Sequence, residues 1–219
     1  MARVLVLFHS RTGDTAALAD AIADGARSVR FTEVDVRRLN DPAPAAALAA
    51  LDADPDGHAG RERPGRRHPT LDDASAVADY DALILGGPAR DGVMAAALTR
   101  FLDQLGPLGA TGALVDKVGA AFTSAPTARG GLEPTLMSIM IRLGNLGMLL
   151  VPPAPAAPAT STAGSPPAAT PTDADAPSAA DLAAARHQGA RVARVAGWVR
   201  HAKGHEAADA GGGHGHHHH

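Results

Sequence analysis

Three hydroxyl side chains and a glycine follow the first apolar run of the sequence, at Ser10, Thr12, Thr15 and Gly13. Hydroxyl and backbone N–H groups can hold a phosphate dianion, and the first turn of a helix adds unpaired N–H groups and the positive end of its dipole. The segment lacks the Gly-Lys-Ser/Thr ending of an ATP-binding loop and the Gly-x-Gly-x-x-Gly of a dinucleotide-binding loop. It therefore predicts a site for one terminal phosphate. The alternative is an ordinary strand-to-helix turn, in which the same residue types are common.

A strand and a helix are predicted on either side of this loop. Residues 4–8 form a continuous apolar run, which is typical of a strand covered on both faces in a parallel sheet. Residues 14–26 repeat small and apolar residues at helical spacing. In this setting the pattern Ser-x-Thr-Gly-x-Thr resembles the loop that binds the FMN phosphate in flavodoxins.

Strands and helices alternate along the rest of the chain. Further strands are predicted at residues 32–36, 78–88, 118–122 and 148–151, and further helices at 94–105, 134–146 and 177 to about 200. This alternation predicts an α/β protein with a three-layer flavodoxin-like fold, in which a five-stranded parallel sheet in the order 2-1-3-4-5 has helices on both faces. Ligands of such sheets bind beyond the carboxyl ends of the strands, here at the loops after strands one, three and four.

Composition narrows the class of protein. The 219 residues, 45% of them hydrophobic, suit one domain with a tail. A formal net charge of -3 gives no electrostatic footprint for nucleic acid or an anionic membrane. The absence of cysteine excludes disulfides, thiolate metal sites and cysteine nucleophiles, so redox chemistry would need a cofactor. No metal site is predicted. Neither a signal peptide nor an apolar run of membrane-spanning length is evident, and the expected location is the cytoplasm.

Three segments differ in composition from the rest of the chain, two of them within the predicted domain of residues 1–203 and one after it. Residues 152–177 are rich in proline and alanine, and we expect them to form no regular structure. Residues 204–219 predict a disordered tail, and five of the 11 histidines lie in its last part, residues 211–219, which is either an expression tag or a native metal-binding end. The third is a basic patch formed by Arg61, Arg63, Arg66 and Arg67. This patch indicates a solvated surface or, alternatively, a region that attracts the phosphates of NAD(P)H.

A second set of motifs is spread over most of residues 2–152 and 177–200. The motifs are Ala-Asp-Tyr-Asp-Ala at 78–82, Gly-Pro-Ala-Arg-Asp-Gly at 87–92, Arg-Phe-Leu-Asp-Gln at 100–104, Gly-Ala-Leu at 112–114, Gly-Met at 147–148 before Val-Pro at 151–152, and Ala-Arg-His-Gln-Gly at 185–189. Together they resemble the WrbA group of NAD(P)H:quinone oxidoreductases. The resemblance implies an FMN enzyme that takes hydride from NAD(P)H and gives two electrons to a quinone, as a homodimer or homotetramer.

The resemblance also assigns residues to the FMN site. It implies that the FMN phosphate is bound by Ser10, Arg11, Thr12, Gly13, Asp14 and Thr15. It implies that the flavin ring is lined by Pro88, Ala89, Arg90 and Asp91, and that its other edge is closed by Ser124, Ala125, Pro126, Thr127, Ala128 and Arg129. Asn145 stands where the family has a flavin-contacting histidine. No side chain is predicted to be catalytic, because the flavin carries the chemistry.

Two of these side chains also suggest a role from their chemistry. Arg90 is the best charged candidate to stabilise the electron-rich pyrimidine edge of reduced flavin, the alternative being a surface arginine. Asn145 is equally consistent with a hydrogen bond to a flavin carbonyl and with a helix C-cap ahead of Gly147.

At three positions the chain differs from the family. Asp91 replaces an aromatic residue, Gly109 replaces the tryptophan that covers the substrate pocket, and Thr12 replaces the tyrosine implicated in nicotinamide binding. Stacking on flat rings contributes about 0.5–1.5 kcal/mol beyond area burial. The loss of aromatic residues at Asp91 and Gly109 therefore predicts a looser substrate site with a raised KM, and Thr12 and Gly109 are the residues expected to lie at that site.

Two other functions remain open from the sequence. A simple electron-carrier flavodoxin would cycle one electron at a time without rapid NAD(P)H oxidation. A flavin-free binding or scaffold protein would fit the lost aromatic residues and the proline-rich insert.

Overall fold

The computed structural model describes residues 1–10, 14–40, 68–125, 131–154, 168–169 and 177–212. Its strands are β1 (Ala2–Phe8), β2 (Thr32–Arg38), β3 (Ala82–Arg90), β4 (Val93–Met94), β5 (Val118–Ser124), β6 (Leu149–Leu150) and β7 (Ala168–Ala169). Its α-helices are α1 (Asp14–Arg27), α2 (Ala96–Gln104), α3 (Gly106–Ala110), α4 (Leu132–Asn145) and α5 (Ala179–Gly212), and a 3-10 helix spans Ala74–Asp79. No helix within these described residues is both long and apolar enough to span a membrane.

The main sheet has the order β2-β1-β3-β5-β6, with every neighbouring pair parallel. Since β5 and β6 are the fourth and fifth predicted strands, the predicted order and the flavodoxin-like fold are confirmed. Two short additions complete the sheet. The strand β4 forms an antiparallel hairpin with β3, and β7 pairs in parallel with the end of β5.

Side chains of β1 enter two separate cores, which explains its unbroken apolar run. Val4 and Val6 pack into the core beneath α1 and α5, whereas Leu5 and Leu7 pack into the core beneath α2 and α4. All four are fully buried. Alternation between two apolar layers is what a strand at the centre of a three-layer fold requires.

Two glycines allow α1 and α5 to pack closely. A Cβ atom at Gly25 would collide with the carbonyl oxygen of Arg186, and one at Gly189 would collide with the carbonyl oxygen of Ile22. The backbones of the two helices therefore approach each other at these points, and neither position can accept a side chain without a shift.

A side chain completes the hydrogen bonding at the outer edge of β5. The Val151 N–H donates to the Gly119 carbonyl at 2.9 Å. The next residue in register on that side is Pro153, which has no N–H to donate. The amide Nε2 of Gln188, from α5, donates instead to the Ala121 carbonyl at 2.9 Å, and this bond is buried.

Several boundaries differ from the sequence predictions. Strand β3 begins at Ala82 rather than at residue 78, because Asp73 caps the preceding 3-10 helix by accepting from the Ser75 N–H at 2.8 Å. The predicted absence of regular structure in residues 152–177 is wrong at 168–169, which form β7. The other residues from 155 to 176 lie outside the described part of the chain.

The last helix is longer than expected. Ser178 and Asp181 cap its start reciprocally, since the Asp181 N–H donates to Ser178 Oγ at 3.1 Å and the Ser178 N–H donates to Asp181 Oδ2 at 2.9 Å. The helix was expected to end near Arg200 but continues to Gly212. It thus includes residues 204–212, which the sequence assigned to a disordered tail, while residues 213–219 lie outside the described residues.

Candidate functional site

The carboxyl ends of β1, β3 and β5 meet at one edge of the sheet. Here the His9 N–H, just beyond β1, donates to the Gly86 carbonyl of β3 at 3.0 Å. Further along β3, Pro88 pairs in register with Ser124 at the end of β5. This is the edge, beside the point between β1 and β3 where the strand order reverses, at which sheets of this order bind ligands. The structure therefore brings together the three loops selected from the sequence.

A buried hydrogen bond joins the first of these loops to the third. Thr15, in the first turn of α1, and Ser124, at the end of β5, place their hydroxyl oxygens 2.7 Å apart. Both residues are buried, with 1% and 4% of their surface exposed. The pair carries two hydroxyl hydrogens and its mutual bond uses one, and among the described residues no further acceptor takes the second.

The second loop is a tight hairpin turn. Asp91 and Gly92 join β3 to β4 with φ of 50° and 83°, as in the hairpin turns favoured by Asp-Gly. This geometry also accounts for the aspartate. A left-handed backbone is tolerated by Asp far better than by most bulky residues.

Glycine at position 131 lets the second loop contact the start of α4. Gly131 itself has φ 75°, and a Cβ atom there would collide with the backbone of Gly92. The two loops that would flank a ring at this edge are thus packed backbone against backbone. Gly131 was not among the residues selected from the sequence. The pair of glycines directly before a predicted helix was the pattern that could have indicated it.

Arg90 lies at the rim of an open cleft between the β3–β4 hairpin and α2. The cleft has a volume of about 660 Å³ and also contains Arg100 and Asp103. Arg142 of α4 donates a hydrogen bond to the Asp103 carboxylate at 2.6 Å and balances its charge. Arg90 and Arg100 therefore make this cleft positively charged. From the sequence, Arg100 was singled out only as part of the motif at residues 100–104, and its place in this cleft follows from the fold.

The remaining predicted residues are distributed as follows. Ser10 follows β1, Asp14 begins α1, and Ala125 is buried directly after β5. Arg11, Thr12 and Gly13 lie outside the described residues, as do Pro126, Thr127, Ala128 and Arg129.

Asn145 and Gly109 lie at the opposite edge of the sheet. Helix α4 starts beside Gly92 at the carboxyl edge and runs about 20 Å before it ends at Asn145. Asn145 is therefore near β6, whose Leu149 pairs with the first residue of β5. A Cβ atom at Gly109 would lie 2.7 Å from Leu146 Cδ2, which places Gly109 at the same edge. Within one chain, these two residues are separated from the other predicted site residues.

Comparison with protein families gives the chain its class. The family model described as NADPH-dependent FMN reductase matches residues 2–162. The chain belongs to this family. It is also similar to curated proteins named NAD(P)H dehydrogenase (quinone). The protein of that name from Azorhizobium caulinodans is 40% identical over 211 residues, covering 90% of this chain and 98% of the relative. The one from Methylocella silvestris is 39% identical over 215 residues, covering 91% and 100%.

Solved structures agree with the fold of this FMN reductase family member. The crystal structure of a flavodoxin, WrbA-like protein from Agrobacterium tumefaciens is 25% identical, with a TM-score of 0.60, and the match covers 90% of this chain and 99% of that one. A flavodoxin from Streptococcus pneumonia is 15% identical with a TM-score of 0.56, over 88% and 99% of the two chains, and supports the fold alone. The resemblance to the WrbA group stated from the sequence is confirmed.

Proposed function

We propose that the protein is an FMN-dependent oxidoreductase that transfers hydride from NAD(P)H to a quinone. Family membership and the names of the relatives support this function. The structural observation that carries it is the buried pair of Thr15 and Ser124, which ties the start of α1 to the end of β5 where an anionic ligand would enter the sheet edge.

The described residues fit FMN at this edge. The first-turn N–H groups of α1 favour a phosphate, and the hydroxyl pair has a hydrogen to spare for an acceptor. The close contact between the backbones at Gly92 and Gly131 holds the loop after β3 against the start of α4, beside this edge. We therefore assign the phosphate to residues 10–15, and the flavin ring to residues 88–91 and 124–129.

FMN bound here supplies the redox chemistry, by accepting hydride from NAD(P)H and passing two electrons to the quinone. The chain contributes position and charge. Arg90, exposed at the end of β3, is the cation nearest in sequence to the turn assigned to the flavin ring. A positive group at this place stabilises negative charge that develops on the ring during reduction.

The assigned phosphate loop can be tested by ligand comparison. Gly13→Val adds a bulky side chain where close backbone approach to the phosphate is needed. We expect the variant to weaken FMN binding much more than riboflavin binding, because riboflavin lacks the phosphate. Equal losses for both ligands, or no loss for either, would contradict phosphate recognition by this loop.

A homo-oligomer forms part of the proposal. Met137 and Ile141 are about half exposed on one face of α4, and Leu149 and Leu150 of the edge strand β6 are also exposed. Leu150 lies within contact distance of the Gly144 position, so helix and strand share one apolar face. We assign this face to a second copy of the chain, as a homodimer or homotetramer.

Such an assembly would also give Asn145 and Gly109 a role. Each lies too far from the carboxyl edge to reach FMN or quinone in its own chain, so only a second copy could bring them to a site. Light scattering on wild-type protein and on the Met137→Glu, Ile141→Glu double variant tests the assembly. A wild-type monomer, or no change in mass for the variant, would contradict it.

We also propose that the protein acts in the cytoplasm, because its co-substrate is NAD(P)H.

A further inference from the structure

The C-terminal part of α5 carries a pair of histidines whose ring nitrogens lie close together. The Nε2 atoms of His201 and His205 lie 3.1 Å apart, and both side chains are exposed. The spacing of four residues places them on one face of the helix, one turn apart. No part of the proposed oxidoreductase site uses them.

The distance between the nitrogens suits a shared metal ion. Imidazole nitrogens bind divalent late transition metals at about 2.0–2.1 Å. At that bond length a separation of 3.1 Å between two nitrogens subtends an angle of about 100° at the ion. This lies between the 90° of square-planar coordination and the 109° of tetrahedral coordination.

Neighbouring positive charges are held away from the pair. Lys203 donates to the Val115 carbonyl at 3.1 Å and lies 3.6 Å from the Asp116 carboxylate. Arg200 donates to the Asp81 carboxylate at 3.1 Å. Both cations therefore point to the body of the protein, while the histidines remain in solvent.

The surface around the histidines is open. Apart from the neighbouring residues and the backbone of the helix itself, no described atom lies within 4 Å of where a Cβ at Gly204 would stand, so an ion and its water ligands have room there. Glycine is the weakest helix former apart from proline, so the helix is intrinsically weak at Gly204. A metal ion bound by residues 201 and 205 would bridge this position.

From these observations we propose that His201 and His205 form a two-histidine site for a divalent late transition metal ion, with water completing the coordination. Among the described residues, no group of three or more potential ligands surrounds a common point, so the pair provides the protein ligands. Affinity follows the order Cu²⁺ above Ni²⁺ and Zn²⁺, because nitrogen ligands obey that series. A bound metal ion cross-links the helical turn that contains Gly204 and thereby stabilises the end of α5.

Trp198 provides a direct readout. It is the single tryptophan of the chain, is 67% exposed, and precedes His201 by three residues on the same side of the helix. Cu²⁺ bound at His201 and His205 would quench its fluorescence at short range. Zn²⁺, which does not quench, would restore the signal by displacement.

The histidines of the C-terminal segment must be removed from the test. The experiment uses the full-length chain with His214, His216, His217, His218 and His219 all changed to alanine, titrated with Cu²⁺. We expect saturable quenching with one ion per chain. His201→Ala and His205→Ala should each abolish the saturable phase, and alanine at either exposed helical position should leave the fold intact. His187→Gln, on the same helix but without a histidine four residues away, is the matched control and should retain the phase.

Two results would overturn the proposal. One is quenching that is linear in Cu²⁺ without saturation. The other is saturable quenching that survives both His201→Ala and His205→Ala. Hydrogen exchange gives an independent check, since Zn²⁺ should slow the exchange of amides 205–212 in the parent chain and not in His205→Ala. Equal exchange with and without Zn²⁺ in the parent chain would also contradict the site.

Discussion

The hydroxyl oxygens of Thr15 and Ser124 lie 2.7 Å apart in a buried hydrogen bond that spans 109 residues of sequence. One residue belongs to the first turn of α1 and the other to the last position of β5. The bond fixes the start of the helix against the third loop of the proposed FMN site. Its two partners should therefore influence stability and phosphate binding in different ways.

Thr15→Val removes one hydroxyl at nearly constant volume and leaves Ser124 buried without its partner. We expect the free energy of unfolding without FMN to fall by about 1–3 kcal/mol. Adding Ser124→Ala should recover most of that loss, because removing both polar groups is close to neutral. Urea denaturation of the wild type, both single variants and the double variant measures the four free energies of unfolding that make up this double-mutant cycle.

FMN binding should behave differently in the same variants. The double variant lacks the hydroxyl hydrogen assigned to the phosphate, so its FMN affinity should remain low although its stability recovers. Riboflavin affinity should change little. Wild-type FMN affinity in the double variant would contradict the assignment of this pair to the phosphate.

Arg90→Ala should slow flavin reduction in the FMN-loaded protein. Loss of the cation assigned to the flavin pyrimidine edge predicts a fall of about tenfold in kcat/KM for NAD(P)H, equivalent to about 1.4 kcal/mol. Arg100→Ala is the matched control, since Arg100 lines the same cleft but lies on α2. Stopped-flow reduction measures both. An equal effect of the two variants would indicate general charge attraction rather than a local role for Arg90.

Gly189→Ala should destabilise the fold, whereas Gly197→Ala should not. A Cβ at Gly189 meets the backbone of α1, and overpacking of this kind costs about 1–3 kcal/mol. Gly197 lies on the same helix, and outside that helix's own backbone and the neighbouring residues no described atom is within 4 Å of its Cβ position. Alanine there should raise the free energy of unfolding by about 0.5–1 kcal/mol. Thermal unfolding of both variants checks the pair, and a similar Tm for the two would contradict the close packing of α1 and α5.

His187 should make stability depend on pH. Burial lowers the pKa of His187 below its usual 6.5, and the positive charges of Arg194 and Arg191 lower it further. The unfolded chain therefore binds more protons in the range just below pH 6.5, so this contribution to stability is present above that range and is lost as pH falls.

His187→Gln removes this contribution. Urea unfolding at about pH 7.5 and about pH 5.5 should show a smaller loss of stability on acidification for the variant than for wild type. Identical losses in the two proteins would show that His187 titrates alike in the folded and unfolded chains.

Local patterns allowed much of the fold to be predicted from sequence. Two features can be recognised from adjacent residues alone: the unbroken apolar run of β1 and the hydroxyl-containing loop after it. Together they located the carboxyl edge of the sheet correctly. Gln188 shows the limit of such reasoning. Its side chain donates to the Ala121 carbonyl, which Pro153 cannot do because it has no N–H. That Pro153 lies opposite Ala121 is known only once the strands are paired.

Part of the candidate site was also beyond sequence reasoning. Asn145 and Gly109 were assigned by position in a resemblance, and such an assignment does not specify at which edge of the sheet a residue lies. Asp91 was treated as a lost aromatic residue. The structure instead shows Asp91 with φ 50° in a hairpin turn of the kind that Asp-Gly favours.

Anaerobic reduction of the FMN-loaded protein tests the proposed function most directly. The protein is saturated with FMN, mixed with NADPH or NADH, and then mixed with a quinone while the visible absorbance of the flavin is followed. Our account predicts loss of the oxidised flavin band with the nicotinamide and its return with the quinone. Flavin that stays oxidised with both nicotinamides would contradict the oxidoreductase function.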